Sequence, residues 1–198
     1  MHRPVAIVTG ASRRQALGAE IARELATHGF DICFTHHQAY DEQMAYADPD
    51  GPAGLRTELE LLGAQVSELA VDFLNPDADA VVAQVFATAT ELPGPITVLI
   101  NNAAYSTTQP WTDLTATEFE RHLRVNALMS SLLSFAFTRQ FAGGSGGRII
   151  SLTSGQNLGA MPDELAYVAS KGAIEAFVKS FAVAAGPLGI TVNAVKIG

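Results

Sequence analysis

One cysteine in 198 residues, Cys33, leaves nothing with which to build an internal disulfide framework. It lies in an apolar, strand-like run and reads as a small buried hydrophobe rather than a reactive thiol. Basic residues are scarce as well: 12 Lys and Arg stand against 20 Asp and Glu, a net charge of −8. Nucleic acid and anionic membrane surfaces both need a basic footprint, so neither is an expected partner. No apolar run approaches the ~18–20 residues of a membrane span. Met1-His2-Arg3-Pro4 leads directly into a strand pattern, with no secretory leader expected, so a cytoplasmic location is the expectation. What is plentiful is apolar side chain: 48% hydrophobic against 16% charged residues describes a globular chain with a sizeable core. The length suits one domain, residues 1–198, or one large domain with a piece missing.

Short β-branched runs alternate with longer helical patterns. Strands are expected at 5–8, 32–34, 66–71, 98–100, 148–152 and 190–195, each nearly continuous in apolar residues, as strands buried on both faces of a parallel sheet must be. Helices are expected at 18–28, 54–62, 78–90, 116–141 and 164–185. This alternation implies an α/β fold with a doubly wound parallel sheet. Residues 38–52 read as a long polar loop, and 143–147 as a flexible glycine-rich turn.

Tyr167-Val168-Ala169-Ser170-Lys171 sets a phenol and an ammonium four residues apart in an apolar-periodic helix, with Ser154 upstream. Positions i and i+4 share a face, so Lys171 is expected beneath the ring of Tyr167. A cation ~4 Å away at an effective dielectric of ~20 favours the phenolate by ~4 kcal/mol, roughly three pKa units, which would bring Tyr167 within reach of general acid–base work. The pattern alone is common, and the rest of the chain decides whether it carries chemistry.

The first strand runs into Thr9-Gly10-Ala11-Ser12-Arg13-Arg14-Gln15-Ala16-Leu17-Gly18 and then a helix. Glycines in such a loop let the backbone approach a pyrophosphate resting on the helix N-terminus. NAD-specific sites place an acid at the end of the second strand, on the ribose 2′-hydroxyl. Here that strand ends Thr35-His36-His37, with no carboxylate before Asp41. Arg13 or Arg14 could then pair with a 2′-phosphate, which favours NADP(H) while leaving NAD possible. His36-His37 is otherwise a solvated strand end; no Cys, His or carboxylate cluster accompanies it, so no metal is expected. Asp72, after the third strand, suits an adenine amino group and a backbone amide, or equally a helix cap or surface acid.

Assembled, these residues resemble the short-chain dehydrogenase/reductase family along essentially the whole chain. The glycine motif falls on Thr9-Gly10 … Ala16-Leu17-Gly18, two residues longer than usual and with Ala at its middle glycine. The NNAG motif falls on Asn101-Asn102-Ala103-Ala104, the catalytic Asn on Asn126, the Ser and YxxxK on Ser154, Tyr167 and Lys171, and VNAV on Val192-Asn193-Ala194-Val195. The resemblance implies a Rossmann-type fold and an NAD(P)(H)-dependent hydride transfer between nicotinamide and a carbonyl or secondary alcohol. It assigns cofactor contacts to Gly10, Ser12, Arg13, Arg14, Ala16, Leu17, Gly18, His36, Asp72, Phe73, Asn102, Ala103 and Ala104, with Tyr167 and Lys171. Reduction of a ketone needs a proton and a stabilising donor at the oxygen. The resemblance gives these to Tyr167 and Ser154, has Lys171 lower the Tyr pKa and bind the ribose, and has Asn126 hold a water linking Lys171 to solvent.

Within the family the sequence looks like 3-oxoacyl-[acyl-carrier-protein] reductases, a name that carries little substrate information. Gln156, Asn157, Leu158 and the loop 105–111 are expected to shape a small-molecule substrate pocket. After the sixth strand the family pattern continues into Asn-Pro-Gly, a Thr, lid helices and a seventh strand, whereas this sequence reads Lys196-Ile197-Gly198. The C-terminal strand and lid are therefore expected to be missing from this chain, leaving the sixth strand as an unpaired edge. A homo-oligomer, dimer or tetramer, is expected for the full-length form. The alternative is a catalytically impaired nucleotide-binding or regulatory module; a purely structural protein using the exposed edge is a third reading.

Overall fold

The structure, a computed structural model, describes residues 2–42, 48, 50–141 and 146–197. They fall into two compact units, Met1–Asp72 with Asp79–Asn102, and Phe73–Ala78 with Ala103–Gly198.

The first unit carries β1 (Val5–Val8), α1 (Leu17–Thr27), β2 (Asp31–His36), α2 (Gln38–Asp41), α3 (Gly51–Leu61), β3 (Val66–Ala70), α4 (Ala78–Ala89) and β4 (Ile96–Asn101). Its strands are parallel in the order β3-β2-β1-β4, with Ile7 opposite both Cys33 and Leu99. Every residue of β1 and β2 is buried, the condition that the apolar runs 5–8 and 32–34 anticipate. Cys33 sits among them, and burial pushes its thiol up to about 11, which fits a packing role. β2 extends past its apolar stretch because Thr35 and His36 continue the ladder opposite Leu69 and Ala70.

The second unit carries α5 (Ala116–His122), a π-helical turn (Leu123–Met129), α6 (Ser130–Gln140), β5 (Gly147–Thr153), a 3₁₀ turn (Gly155–Asn157), α7 (Leu165–Ala185) and β6 (Ile190–Lys196). β5 and β6 pair in parallel, Ile149 opposite Val192 and Leu152 opposite Val195. α7 buries Ala166, Ser170, Ile174 and Val178, a strict i, i+4 series that defines its inward stripe, and Lys171 lies at the edge of that stripe. The helix stops at Gly186-Pro187, and Gly189 turns the chain into β6 at a φ of 79°.

Two expectations change. The single helix over 116–141 is interrupted by the π-helical turn, which holds Asn126; such turns cluster at functional sites. The polar loop over 38–52 contains α2 and the first turn of α3, where Gly51-Pro52 gives the helix a proline start. Residues 43–47 and 49 of that loop, and 143–145 of the glycine-rich turn, lie outside the described residues. No helix among the described residues is long and apolar enough to cross a membrane.

Candidate active site

In the first unit the glycine loop is built by removing atoms. Gly10 takes a φ of 72°, which favours glycine, and its N–H donates to Thr35 Oγ1 at 3.1 Å. Ala11 N–H donates to the Thr35 carbonyl at 2.8 Å, so the loop leaves β1 alongside the end of β2. A Cβ on Gly18 would stand 2.7 Å from Asn102 Nδ2 and 2.8 Å from the Gly10 carbonyl. Asn102 fills that space from the end of β4: its Nδ2 donates to the carbonyls of Thr9 (2.8 Å) and Gly10 (2.9 Å), and its N–H donates to Thr9 Oγ1 (3.0 Å). The NNAG asparagine is therefore a strut of the loop. Ala16, at the N-cap of α1, brings no side-chain acceptor to the helix N-terminus, and Leu17 is partly exposed there. A loop glycine that cannot grow a Cβ and a helix start without its own acceptor fit a pyrophosphate.

The end of β2, expected to be solvated, is instead buried at His36 because β3 pairs alongside it. Ser12 is buried, and its Oγ accepts from His37 N–H at 3.0 Å. His36 is buried, and burial holds its imidazole pKa below the ordinary value. Its Nδ1 has no hydrogen-bond partner among the described residues. Asp72 faces His37, Oδ1 to Nδ1 at 3.8 Å. Arg13 and Arg14, expected as ready phosphate ligands, are both engaged by acids of the polar loop. Arg13 Nε lies 3.2 Å from Asp41 Oδ1, and Arg14 grips Asp48 with Nε at 3.1 Å and Nη2 at 3.2 Å.

In the second unit the candidate site is built from the buried Lys171 and Asn126 and the half-buried Ser154 and Tyr167. Lys171, 4% exposed, stands with Nζ 5.6 Å from the centroid of the Tyr167 ring, as the i, i+4 spacing requires. Its ammonium, however, donates to the Leu152 carbonyl on β5 at 2.9 Å. Burial lowers the Lys171 pKa to about 8. Tyr167 then departs from expectation in sign: its hydroxyl is raised, first by burial and further by Glu164, while a hydrogen bond with the Ser154 side chain works the other way. A cation over the ring face and committed to a carbonyl does not offset what desolvation does to the phenolate. The structure thus brings Ser154, Tyr167 and Lys171 together with Tyr167 as a neutral phenol.

Asn126, 1% exposed, serves as a bracket. Its Oδ1 accepts from Tyr105 N–H (2.7 Å), and its Nδ2 donates to the Tyr105 carbonyl (2.9 Å) and to Ser170 Oγ (2.9 Å). It ties the segment after β4 to the neighbour of Lys171, and among the described residues it makes no bond to Lys171 itself. Ala103 and Ala104 begin that segment outside any helix or strand, and Phe73 is buried. Of the expected pocket residues, Leu158 and Trp111 are mostly exposed, and the side chain of Asn157 lies outside the described part. Gln156 ties Ser154 to α7, its Oε1 accepting from Ser154 N–H (3.2 Å) and its Nε2 donating to Glu175 (2.9 Å).

Sequence reasoning missed the pair that shapes the loop 105–111. His122, 1% exposed, accepts from Thr107 N–H at Nε2 (3.2 Å), which makes Nδ1 the donor to the Glu118 carbonyl (2.9 Å). The Tyr105 ring meets it edge-on at 4.8 Å. Glu118 accepts from Thr107 Oγ1 at 2.9 Å. Burial alone would raise the Glu118 carboxyl, but hydrogen bonds from Tyr105 and Thr107 bring it below its usual value. The signal was present: Thr115-x-x-Glu118 is a capping-box pattern, and Thr115 does accept from Glu118 N–H. Glu118 and His122 also stand at i, i+4.

The similarity to known proteins extends over both units. The family model described as short chain dehydrogenase matches residues 4–198. The "Uncharacterized oxidoreductase YjdA" of Bacillus subtilis (strain 168) is 36% identical over 196 residues, covering 98% of this chain and 74% of that protein. Among solved structures, a 3-oxoacyl-[acyl-carrier protein] reductase from Brucella melitensis superposes with a TM-score of 0.82 at 27% identity, covering 99% of this chain and 75% of its own. The angucycline C-6 ketoreductase LanV with bound NADP superposes with a TM-score of 0.82 at 27% identity, covering 98% and 71%. The chain belongs to the short-chain dehydrogenase family and is an oxidoreductase of that family, with its Rossmann-type α/β fold and NAD(P) as its class of cofactor.

Proposed function

We propose that this chain reduces a small-molecule carbonyl to a secondary alcohol with NADP(H), and that Tyr167 gives the proton. The observation that carries the reading is the triad of the second unit, a neutral Tyr167 phenol hydrogen-bonded to Ser154 with the Lys171 ammonium over its ring. When bound, the nicotinamide supplies a hydride equivalent. Ser154 donates a hydrogen bond to the carbonyl oxygen, and the Tyr167 hydroxyl transfers its proton to that oxygen. A raised phenol pKa suits the donor role: the group is protonated at neutral pH and is ready to give a proton to a stronger base. Lys171, with a pKa of about 8, is mostly ammonium at pH 7 and stabilises the phenolate left behind. Asn126 positions the loop 105–111 and Ser170 rather than passing a proton itself.

In the first unit Gly10, Ala16, Leu17 and Gly18 would hold the pyrophosphate, with Ser12, His36 and Asp72 at the adenosine. The preference for NADP(H) over NAD(H) is supported by the absence of a carboxylate at Thr35-His36-His37 and by Arg13 and Arg14 within the loop. LanV, similar over nearly the whole chain, is a ketoreductase with NADP bound. The similar structures include enzymes named for an acyl-carrier-protein substrate and for an angucycline, and these do not select one substrate.

The test is carbonyl-dependent NADPH oxidation across a panel of ketones and aldehydes, with Ser154→Ala and Tyr167→Phe beside the wild type. Turnover reduced by about 10²–10⁴-fold in Tyr167→Phe is expected. Unchanged turnover in that variant would remove Tyr167 from the mechanism. NADPH binding with no turnover on any carbonyl would favour a nucleotide-binding module.

A further inference from the structure

The glycine loop is two residues longer than the family pattern, and the extra length is clamped from outside. Asp48 accepts three hydrogen bonds from Arg14: the backbone N–H at 3.1 Å, Nε at 3.1 Å and Nη2 at 3.2 Å. Arg23 Nη2 donates to the Arg14 carbonyl at 2.7 Å and is itself held by Glu58 at 2.6 Å. Gly54 makes room for the arginine stem, since a Cβ there would stand 2.7 Å from Arg14 Cδ. A cleft of about 650 Å³ opens at this point, lined by Arg13, Arg14 and Arg23 and by Glu20, Asp48 and Glu58. Ala11 and Ser12 fasten the same loop to the end of β2, the place where a Rossmann-type site meets the adenosine ribose.

We propose that Asp48 is a specificity residue for the cofactor, acting against a ribose 2′-phosphate by occupying the guanidinium that would bind it. This rests on reading the loop as a nucleotide site. A carboxylate and a phosphate compete for the same bidentate face of an arginine, so a phosphate recruits Arg14 only by replacing Asp48. If Asp48 stays in place it meets the phosphate as a like charge. A 2′-hydroxyl is uncharged and asks for neither change. Asp48 thereby sets the ratio between NADP(H) and NAD(H), the repulsive element that specificity by difference requires. Arg13 Nε stands 3.2 Å from Asp41 Oδ1.

Asp48→Asn tests this, because the amide keeps an acceptor for Arg14 N–H and loses only the charge. Dissociation constants for NADPH and NADH are measured by calorimetry in wild type, Asp48→Asn, Asp48→Glu and Asp48→Asn/Arg14→Gln, with thermal melting to confirm folding. NADPH is expected to bind about tenfold tighter in Asp48→Asn, with NADH within about twofold of wild type. Asp48→Glu, which keeps the charge, should not gain, and Arg14→Gln should abolish the gain. Equal shifts for both dinucleotides would show that Asp48 only shapes the loop, and a gain that persists without Arg14 would remove the competition; either result overturns the proposal. Wild-type protein that binds neither dinucleotide contradicts the nucleotide reading itself. Dinucleotide binding with an unchanged ratio in Asp48→Asn overturns this inference alone.

Discussion

The two units build their sites in opposite ways. In the first, the loop works because atoms are missing: no Cβ fits at Gly18, no side chain caps α1 at Ala16, and Gly10 turns at a φ of 72°. In the second, the site works because side chains are present and buried: Asn126 is 1% exposed, Ser170 0% and Lys171 4%. A backbone cradle is damaged by adding atoms and a side-chain constellation by deleting them, so the two are separable by mutation.

The largest expected effect lies in the second unit and depends on pH. Lys171 has an ordinary pKa of 10.5 and a folded value of about 8. Between these values the unfolded chain binds more protons, so wild-type stability rises as pH climbs from about 8 towards 10.5. At neutral pH the buried charge costs about 3 kcal/mol. Lys171→Met lacks this term. Urea unfolding of both proteins at pH 7 and pH 10 should show wild type gaining on the variant as pH rises; a pH-independent difference would mean that the ammonium is not desolvated.

Next comes the first unit. Gly18→Ala forces a Cβ against Asn102 and Gly10, an overpacking of about 2 kcal/mol. NADPH affinity should fall at least tenfold in the folded variant. Combining it with Asn102→Ala should cost less than the two separate losses added, since one clashing atom is gone; strict additivity would show that the contact does not form. Asn126→Ala should destabilise by about 1–2 kcal/mol, because it removes two hydrogen bonds to the Tyr105 backbone and one to the buried Ser170 hydroxyl. It should leave NADPH binding unchanged, and a weaker NADPH titration would blur the division between the units. The smallest effect is Arg23→Gln on the outer clamp, below about 1 kcal/mol because its ion pairs are part-exposed.

Much of this was legible in the sequence. β1 and the centre of β2 show themselves as apolar runs, 5–8 and 32–34, and the placement of Lys171 beneath Tyr167 follows from helix spacing alone. The sign of the Tyr167 shift did not follow, because burial of the phenol sets it, and no local pattern reports that burial or the Leu152 carbonyl that claims the ammonium. Arg13 and Arg14 announce a basic loop, but their partners Asp41 and Asp48 come from a distant polar stretch with no periodicity to place it. His122 and Glu118 were visible as a capping box and an i, i+4 pair, yet both motifs are so common on helices that only the fold shows them holding Thr107. Gly18 stands between: its need for glycine is suggested by the motif, and Asn102 supplies the reason.

The separation of cradle and proton donor is tested most directly by Tyr167→Phe, read twice on one preparation. NADPH titration should give a dissociation constant within about twofold of wild type, while carbonyl-dependent NADPH oxidation falls by about 10²–10⁴-fold. Loss of both would contradict the account, and so would retention of both.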